Sequence, residues 1–166
     1  MTLVVLVGGA RSGKSTLALE RARASAAPVV FIATGEAGDE EMAARIERHR
    51  AERPGAWTTV EEPTDLTRAL AAVEDGATAV VDCLSLWVAN VLDEDGVEAR
   101  AEAAARGAAE RSGLTIAVTN EVGLGIVPDN ALARRYRDVL GRVNATWVDL
   151  ADEAYLVVAG RTLRLA

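Results

Sequence analysis

Short apolar runs alternate along this chain with longer stretches in which apolar residues recur every three or four positions. The runs Leu3–Val7, Val29–Ala33, Ala77–Asp82, Thr115–Thr119 and Ala154–Val158 are predicted as strands, with Trp57–Glu61 as a short sixth. The first four are nearly all apolar, as parallel strands covered on both faces should be. Helices are predicted over Lys14–Ala24, Asp39–Glu52, Thr64–Val73, Leu84–Leu92, Val97–Arg111 and Asn130–Trp147. In the last of these, Leu132, Tyr136, Val139, Val143 and Trp147 share one face, and Asp129 or Asn130 stands where a cap belongs. The end, EAYLVVAGRTLRLA, reads as two strands joined by a tight turn around Ala159–Gly160. This alternation predicts an α/β fold: a mostly parallel sheet flanked by helices, closed by a C-terminal antiparallel hairpin. Residues 1–166 contain no repeat, low-complexity tract or linker and read as one domain.

Composition narrows the function classes. Half of the 166 residues are hydrophobic but only 4% are aromatic, which suits helices on an aliphatic sheet. A net charge of −7 argues against nucleic-acid binding, which needs a basic footprint. An anionic ligand can still bind where backbone dipoles and a few cations outweigh the overall field. A single cysteine, Cys83, excludes an internal disulfide and a cysteine-based zinc cluster. The apolar start LVVLV runs straight into a glycine loop and is too short for a signal peptide. Nor does any apolar run approach the ~20 residues of a membrane span. A soluble cytoplasmic protein is expected.

That glycine loop carries the first chemistry. GGARSGKS, comprising Gly8, Gly9, Ala10, Arg11, Ser12, Gly13, Lys14 and Ser15, matches G-x-x-x-x-G-K-[ST] between a buried strand and a helix. Gly8 and Gly13 permit backbone angles that aim successive N–H groups at phosphate oxygens, and the helix adds its N-terminal dipole. Lys14 is expected at the β- and γ-phosphates and Ser15 on Mg²⁺. The fold expected is therefore that of a P-loop nucleotide-binding protein.

Two further strand ends reach the same ligand-binding edge. Asp82 closes the strand at 77–82, where it would hold Mg²⁺ through water or else cap the next helix. Beside it, Cys83 reads as an inert buried thiol. The segment TNEVGLGIVPDN brings Thr119, Asn120 and Glu121, followed by a long loop; Glu121 is either a base or metal ligand, or a plain loop carboxylate. Arg134, Arg135, Arg137 and Arg142 could contact phosphate but read rather as a solvated helix face, with Arg134 and Asp138 spaced as an i,i+4 pair.

The only histidine lies in RIERHRAERPGAW. On a helix over 39–53, at about 100° per residue, Met42, Ile46, His49 and Arg53 fall within a wedge of roughly 60°, while Arg45, Arg48 and Arg50 point elsewhere. An apolar stripe that ends in His and Arg is leaving the core and entering a cleft. Spacing alone allows a core-edge histidine near a helix C-terminus. That is the reading spacing favours; the competing one is a nucleophile, since neutral imidazole attacks phosphorus and carries the group covalently.

GGARSGKS, IAT at 32–34, EMAARIERHRAERPGAWTTVEEP at 41–63, DCLSLWVANVL at 82–92, TNEVGLGIVP at 119–128 and RRYRDVLGRVN at 134–144 resemble the bifunctional adenosylcobinamide kinase/adenosylcobinamide-phosphate guanylyltransferase family of cobalamin biosynthesis. The resemblance runs from residue 3 to about 164. It implies a P-loop enzyme with a RecA-like sheet, assembled as a homotrimer. ATP or GTP would first phosphorylate adenosylcobinamide. GMP from GTP would then pass to the adenosylcobinamide phosphate through a guanylyl-histidine, releasing pyrophosphate. The family's R-I-x-x-H-x-x-x-R-P pattern places that histidine at His49, with Lys14 the other catalytic group. Matching nucleotide positions are Gly8 to Ser15, Ala33, Thr34, Gly35, Arg50, Ala51, Glu52, Arg53, Glu61 and Asp82, with Ser15 and Asp82 at the metal. Gly35 departs from the polar residue some members carry there, so a side-chain contact is lost. The alternative is another small-molecule P-loop kinase without guanylyl transfer. A nucleotide switch of the Ras type is disfavoured because its [NT]-K-x-D guanine signature is absent.

Overall fold

A computed structural model describes every residue except Glu52, and leaves aside the side chains of Glu41, Arg45 and His49. In chain order the elements are β1 (Thr2–Gly8), α1 (Lys14–Ala24), β2 (Val29–Ala33), α2 (Glu40–Ala51), β3 (Thr58–Glu61) and α3 (Leu66–Ala71). They continue with β4 (Thr78–Asp82), α4 (Leu84–Val91), α5 (Val97–Glu110), β5 (Leu114–Asn120), α6 (Ala131–Asp149), β6 (Glu153–Val158) and β7 (Arg161–Arg164). The strands form one sheet in the order β3-β2-β4-β5-β1-β6-β7, parallel throughout except for β7. One strand, β5, separates the glycine-loop strand from the one ending in Asp82.

Alternate side chains of β1, β2, β4, β5 and β6 feed two cores, whereas the edge strands β3 and β7 contribute no buried residue. Leu3, Val5, Val7, Ile32, Val81 and Ala117 point to one face, where they meet α3, α4, α5 and α6 through Leu70, Trp87, Ala104, Leu140 and Trp147. Val4, Leu6, Phe31, Val80, Ile116 and Val157 point to the other and meet α1 through Ala18, Leu19 and Ala22. Because both faces are covered, the strands are apolar at nearly every position. The described residues of α2 include none that is buried, so this helix lies on the domain's margin.

Boundaries follow local hydrogen bonds. The helix predicted at 64–73 begins only at Leu66, because the Asp65 carboxylate accepts from the Arg68 N–H as its cap. Upstream, the Thr64 and Asp65 N–H groups are taken by Glu62. Asn130, rather than Asp129, caps α6 by accepting from Ala133 N–H at 2.7 Å. The predicted α6 face holds from Val139 onward, but Leu132 is 61% exposed and Tyr136 half-buried, since the first turns of α6 overhang the sheet edge. The predicted Arg134–Asp138 pair does not form. Arg134 turns back to the carbonyls of Pro128 and Asp129, at 2.9 and 2.8 Å, while Asp138 pairs with Arg137. The C-terminal turn has Ala159 and Gly160 at φ of 50° and 71°, the two left-handed residues of a type I′ hairpin.

One glycine locks α5 to β5. Gly113 sits at φ 104°, and a Cβ there would stand 2.5 Å from the Ala77 carbonyl oxygen. Gly113→Ala should therefore cost about 2 kcal/mol or more of stability from strain plus backbone collision. Gly125→Ala, in open space, should cost far less; urea unfolding of the two variants compares them.

Candidate active site

Parallel register builds the site. Glu61 pairs with Ala33, Ala33 with Asp82, Asp82 with Val118, and Val118 with Leu6. These five positions form one row across the sheet, and Gly8 lies two residues further along its strand. The phosphate loop, Asp82 and Glu61 therefore share one edge although 74 positions of chain separate Gly8 from Asp82.

The phosphate loop is held from three sides. Gly8 accepts from the Glu121 N–H at 3.0 Å, and a Cβ on Gly8 would lie 2.3 Å from the Val157 carbonyl oxygen. Gly13 has φ 100°, and Gly160 approaches so closely that a Cβ on Gly13 would sit 3.3 Å from its Cα. The Gly160 N–H donates to the Ser12 carbonyl at 2.8 Å. The C-terminal hairpin is thus a wall of the loop, a role that its sequence as a simple turn did not signal. Lys14 is 6% exposed, and its ammonium donates to the Gly9 carbonyl at 2.7 Å and to Ser12 Oγ at 3.4 Å. Gly9, Ala10 and Arg11 are exposed at the loop's crest, and Ser15 is half-buried on the first turn of α1.

A cleft opens at the carboxyl ends of β2, β3 and β4. Ala33, Gly35, Glu61, Asp82, Cys83 and Leu86 line it from the sheet side, and Met42, Ile46, Arg50 and Arg53 from α2 and its exit. Six of the positions expected at nucleotide meet here: Ala33, Gly35, Arg50, Arg53, Glu61 and Asp82. Arg50, which helical spacing turned away from the cleft, nonetheless lines it: its long side chain pairs with Glu61 and, at 3.0 Å, with Glu47. Arg53 reaches the cleft from a turn after α2, with its guanidinium 3.7 Å above the Phe31 ring and donating to Thr59 Oγ1 at 3.3 Å. Burial lowers its pKa, the facing Asp82 opposes that shift, and Arg50 adds to it. Its Nε is buried and makes no hydrogen bond among the described residues. The cleft lining thus sets two cations, Arg50 and Arg53, against two carboxylates, Glu61 and Asp82.

Other expected positions are used differently. Thr34 is fully buried, its hydroxyl donating to the Cys83 carbonyl at 2.7 Å and accepting from the Cys83 N–H at 2.8 Å. Ala51 is exposed at the end of α2, and Glu52 lies outside the described residues. His49 belongs to the span of α2, but its side chain too lies outside the described residues. Gly35 packs closely: a Cβ would come within 3.2 Å of Leu86 Cδ1 and 3.7 Å of Ile46 Cδ1. Asp82 does not cap α4, whose N-cap is Cys83. Glu121 folds its carboxylate back onto the Gly123 N–H. Beyond it, Leu124 and Ile126 are 85% and 97% exposed, with Val127 exposed between them and α6. Arg135 and Arg142 pair with Asp93 and Glu98.

Met42 and Ile46 were legible as the stripe leading to His49, whereas Leu86 and the Thr34–Cys83 link depend on tertiary pairing.

Burial and the neighbouring Asp82 push the Cys83 thiol up to about 11. At pH 8 only about a thousandth would be thiolate, the reactive form. Native protein should resist iodoacetamide at that pH and react quantitatively once unfolded in urea; rapid alkylation of folded protein would contradict an inert Cys83.

Residues 4–165 match a family described as cobinamide kinase / cobinamide phosphate guanyltransferase. The chain is 42% identical to the bifunctional adenosylcobalamin biosynthesis protein CobP of Pseudomonas aeruginosa, over 97% of this chain and 95% of that one. It is 39% identical to the protein CobU of the same description from Salmonella typhimurium, over 95% and 96%. The fold resembles that of the flagellar accessory protein FlaH from Methanocaldococcus jannaschii, with TM-score 0.56, 16% identity, and coverage of 99% and 77%.

Proposed function

We propose a division of labour along the sheet edge of this chain, which belongs to the cobinamide kinase / cobinamide phosphate guanyltransferase family. The enzyme phosphorylates adenosylcobinamide with a nucleoside triphosphate and then transfers GMP from GTP to the resulting phosphate. Phosphoryl transfer belongs to the loop Gly8–Ser15. There the acceptor hydroxyl attacks the γ-phosphorus, the β,γ-bridging P–O bond breaks, and the nucleoside diphosphate departs. Lys14, now on the Gly9 carbonyl, exchanges that oxygen for phosphate oxygens, and the N-terminus of α1 adds its dipole.

Guanylyl transfer belongs to the cleft beside α2. A ring nitrogen of His49 attacks the α-phosphorus of GTP, and pyrophosphate leaves. A phosphate oxygen of adenosylcobinamide phosphate then displaces the imidazole, giving adenosylcobinamide-GDP. One observation carries this reading: Arg50 and Arg53 face a cleft walled by Met42 and Ile46, the stripe on which position 49 falls by helical spacing. Arg50, already paired with Glu61 and Glu47, must trade a carboxylate for phosphate, as Arg53 must trade the Thr59 hydroxyl.

The Ser15 hydroxyl and the Asp82 carboxylate are hard oxygen donors of the kind Mg²⁺ takes alongside water and phosphate oxygens. Among the described residues no group of three His, Cys, Asp or Glu forms a fuller cage, so the donor set fits an ion that arrives with nucleotide. When bound, it neutralises phosphate charge. ATP or GTP serves the kinase step, and GTP the second.

No described helix is long and apolar enough to cross a membrane. A cytoplasmic, single-domain enzyme that assembles as a homotrimer completes the proposal. Exposed Leu124, Ile126 and Val127 supply apolar surface that assembly would cover. Sedimentation equilibrium should give three times the chain mass; a monomer would refute the assembly.

Incubation with α-labelled GTP and Mg²⁺ should leave acid-labile, alkali-stable label on the protein, absent from His49→Ala. That variant should still phosphorylate cobinamide, whereas Lys14→Ala should lower phosphorylation by about a hundredfold or more. Folded His49→Ala that loses both activities would break the division of labour.

A further inference from the structure

Asn90, half-buried on the last turn of α4, donates both hydrogens of its amide: to the Thr34 carbonyl at 2.8 Å and to the Pro63 carbonyl at 3.0 Å. Thr34 follows the end of β2 directly, and Pro63 lies two residues past the end of β3. These are the points where the two strands stop pairing and their chains diverge into the cleft walls. Two carbonyls that would otherwise repel one another are bridged by one planar NH₂ group, which fixes their separation.

The Asn90 bridge completes a wider knot. The Thr34 N–H donates to the Asp82 carbonyl at 3.2 Å, and the Glu62 N–H to the Ala33 carbonyl at 2.9 Å. The Thr34 hydroxyl is bonded both ways to Cys83. Each polar group of Thr34 is therefore spent on holding β2 to its neighbours, and the carbonyl goes to Asn90. Four residues earlier on the same face of α4 is Leu86, which lines the cleft against Gly35. The helix thus sets both the cleft floor and the exit of the strands that carry Ala33, Glu61 and Asp82.

We propose that Asn90 is a positioning residue for guanylyl transfer, one that fixes the β2 and β3 exits so that Glu61, Gly35 and the arginines close around GTP. The inference rests on the cleft being the guanylylation site. It separates the two activities because β2 lies three strands from β1 in the sheet, roughly 14 Å at ordinary strand spacing. The phosphate loop is instead held by Glu121 and the C-terminal hairpin.

Asn90→Asp keeps the shape and removes both donors, setting a carboxylate against two carbonyls; Asn90→Gln retains the NH₂ group. In the full-length protein, self-guanylylation by α-labelled GTP and cobinamide phosphorylation are measured side by side. The KM for GTP in labelling should rise about tenfold or more in Asn90→Asp, the scale of a lost buried hydrogen-bond pair. Phosphorylation kcat/KM should stay within about threefold of wild type, since a loss of that size is under 1 kcal/mol. Asn90→Gln should recover part of the labelling. Equal labelling of wild type and Asn90→Asp would overturn the clamp and leave the cleft assignment standing. A parallel fall in both activities would also overturn it, by making Asn90 a general stability residue. Absence of label from wild type would remove the guanylylation reading itself, and the clamp with it.

Discussion

The parallel hydrogen-bond ladder is the constraint on which everything else in this chain depends. A parallel strand pair cannot be joined by a tight turn, so each connection must cross a face of the sheet and return. Here those crossings are α1, α2, α3, the α4–α5 pair and α6. The same ladder makes six carboxyl ends point one way, and its register brings Glu61, Ala33 and Asp82 into a single row. Groups scattered from Gly8 to Glu121 become neighbours without any local sequence signal linking them. The antiparallel β7 is the exception, and its turn returns to the phosphate loop through Gly160 and Ser12.

Electrostatics then decides how an acidic protein handles a polyanion. The net charge of −7 opposes nucleotide approach at long range, but salt screens that field within about a Debye length. At contact the local groups prevail: the loop N–H groups, Lys14, and the Arg50–Arg53 pair. These cations are already partnered by a carbonyl, by carboxylates and by the Phe31 ring. Nucleotide binding is accordingly an exchange of partners. The partners hold the cations in place and prevent mutual repulsion, and they soften the net gain from each new contact. Arg53 is the most shielded of them, half-buried against the Phe31 ring with Asp82 opposite.

Position 35 shows how packing sharpens a sequence difference. Read from the chain, Gly35 was a lost contact. In the fold it is also a close approach, since Leu86 and Ile46 occupy the space a side chain would need. The same segment holds Thr34, whose identity resembles a ligand-contact motif yet whose hydroxyl is spent on Cys83. A motif thus mixes residues that touch a ligand with residues that hold those that do.

What the sequence determined by itself was anything encoded by spacing: the apolar runs of the strands, the periodic helices, the glycine loop between β1 and α1, and the His49 stretch with its family pattern. Those signals are local, reaching at most a few turns of chain, and they placed β2 and α1 at their residues. They misplaced what depends on neighbours. Arg50 lines the cleft because Glu61 lies across from it, Leu132 is exposed because α6 begins beyond the sheet edge, and Arg134 abandons Asp138 for two loop carbonyls. Only the tertiary structure decided that the C-terminal turn braces the phosphate loop and that Asn90 ties two strand exits together. Both contacts end on backbone carbonyl oxygens, which every residue possesses, and a group common to all residues leaves no trace in the order of side chains.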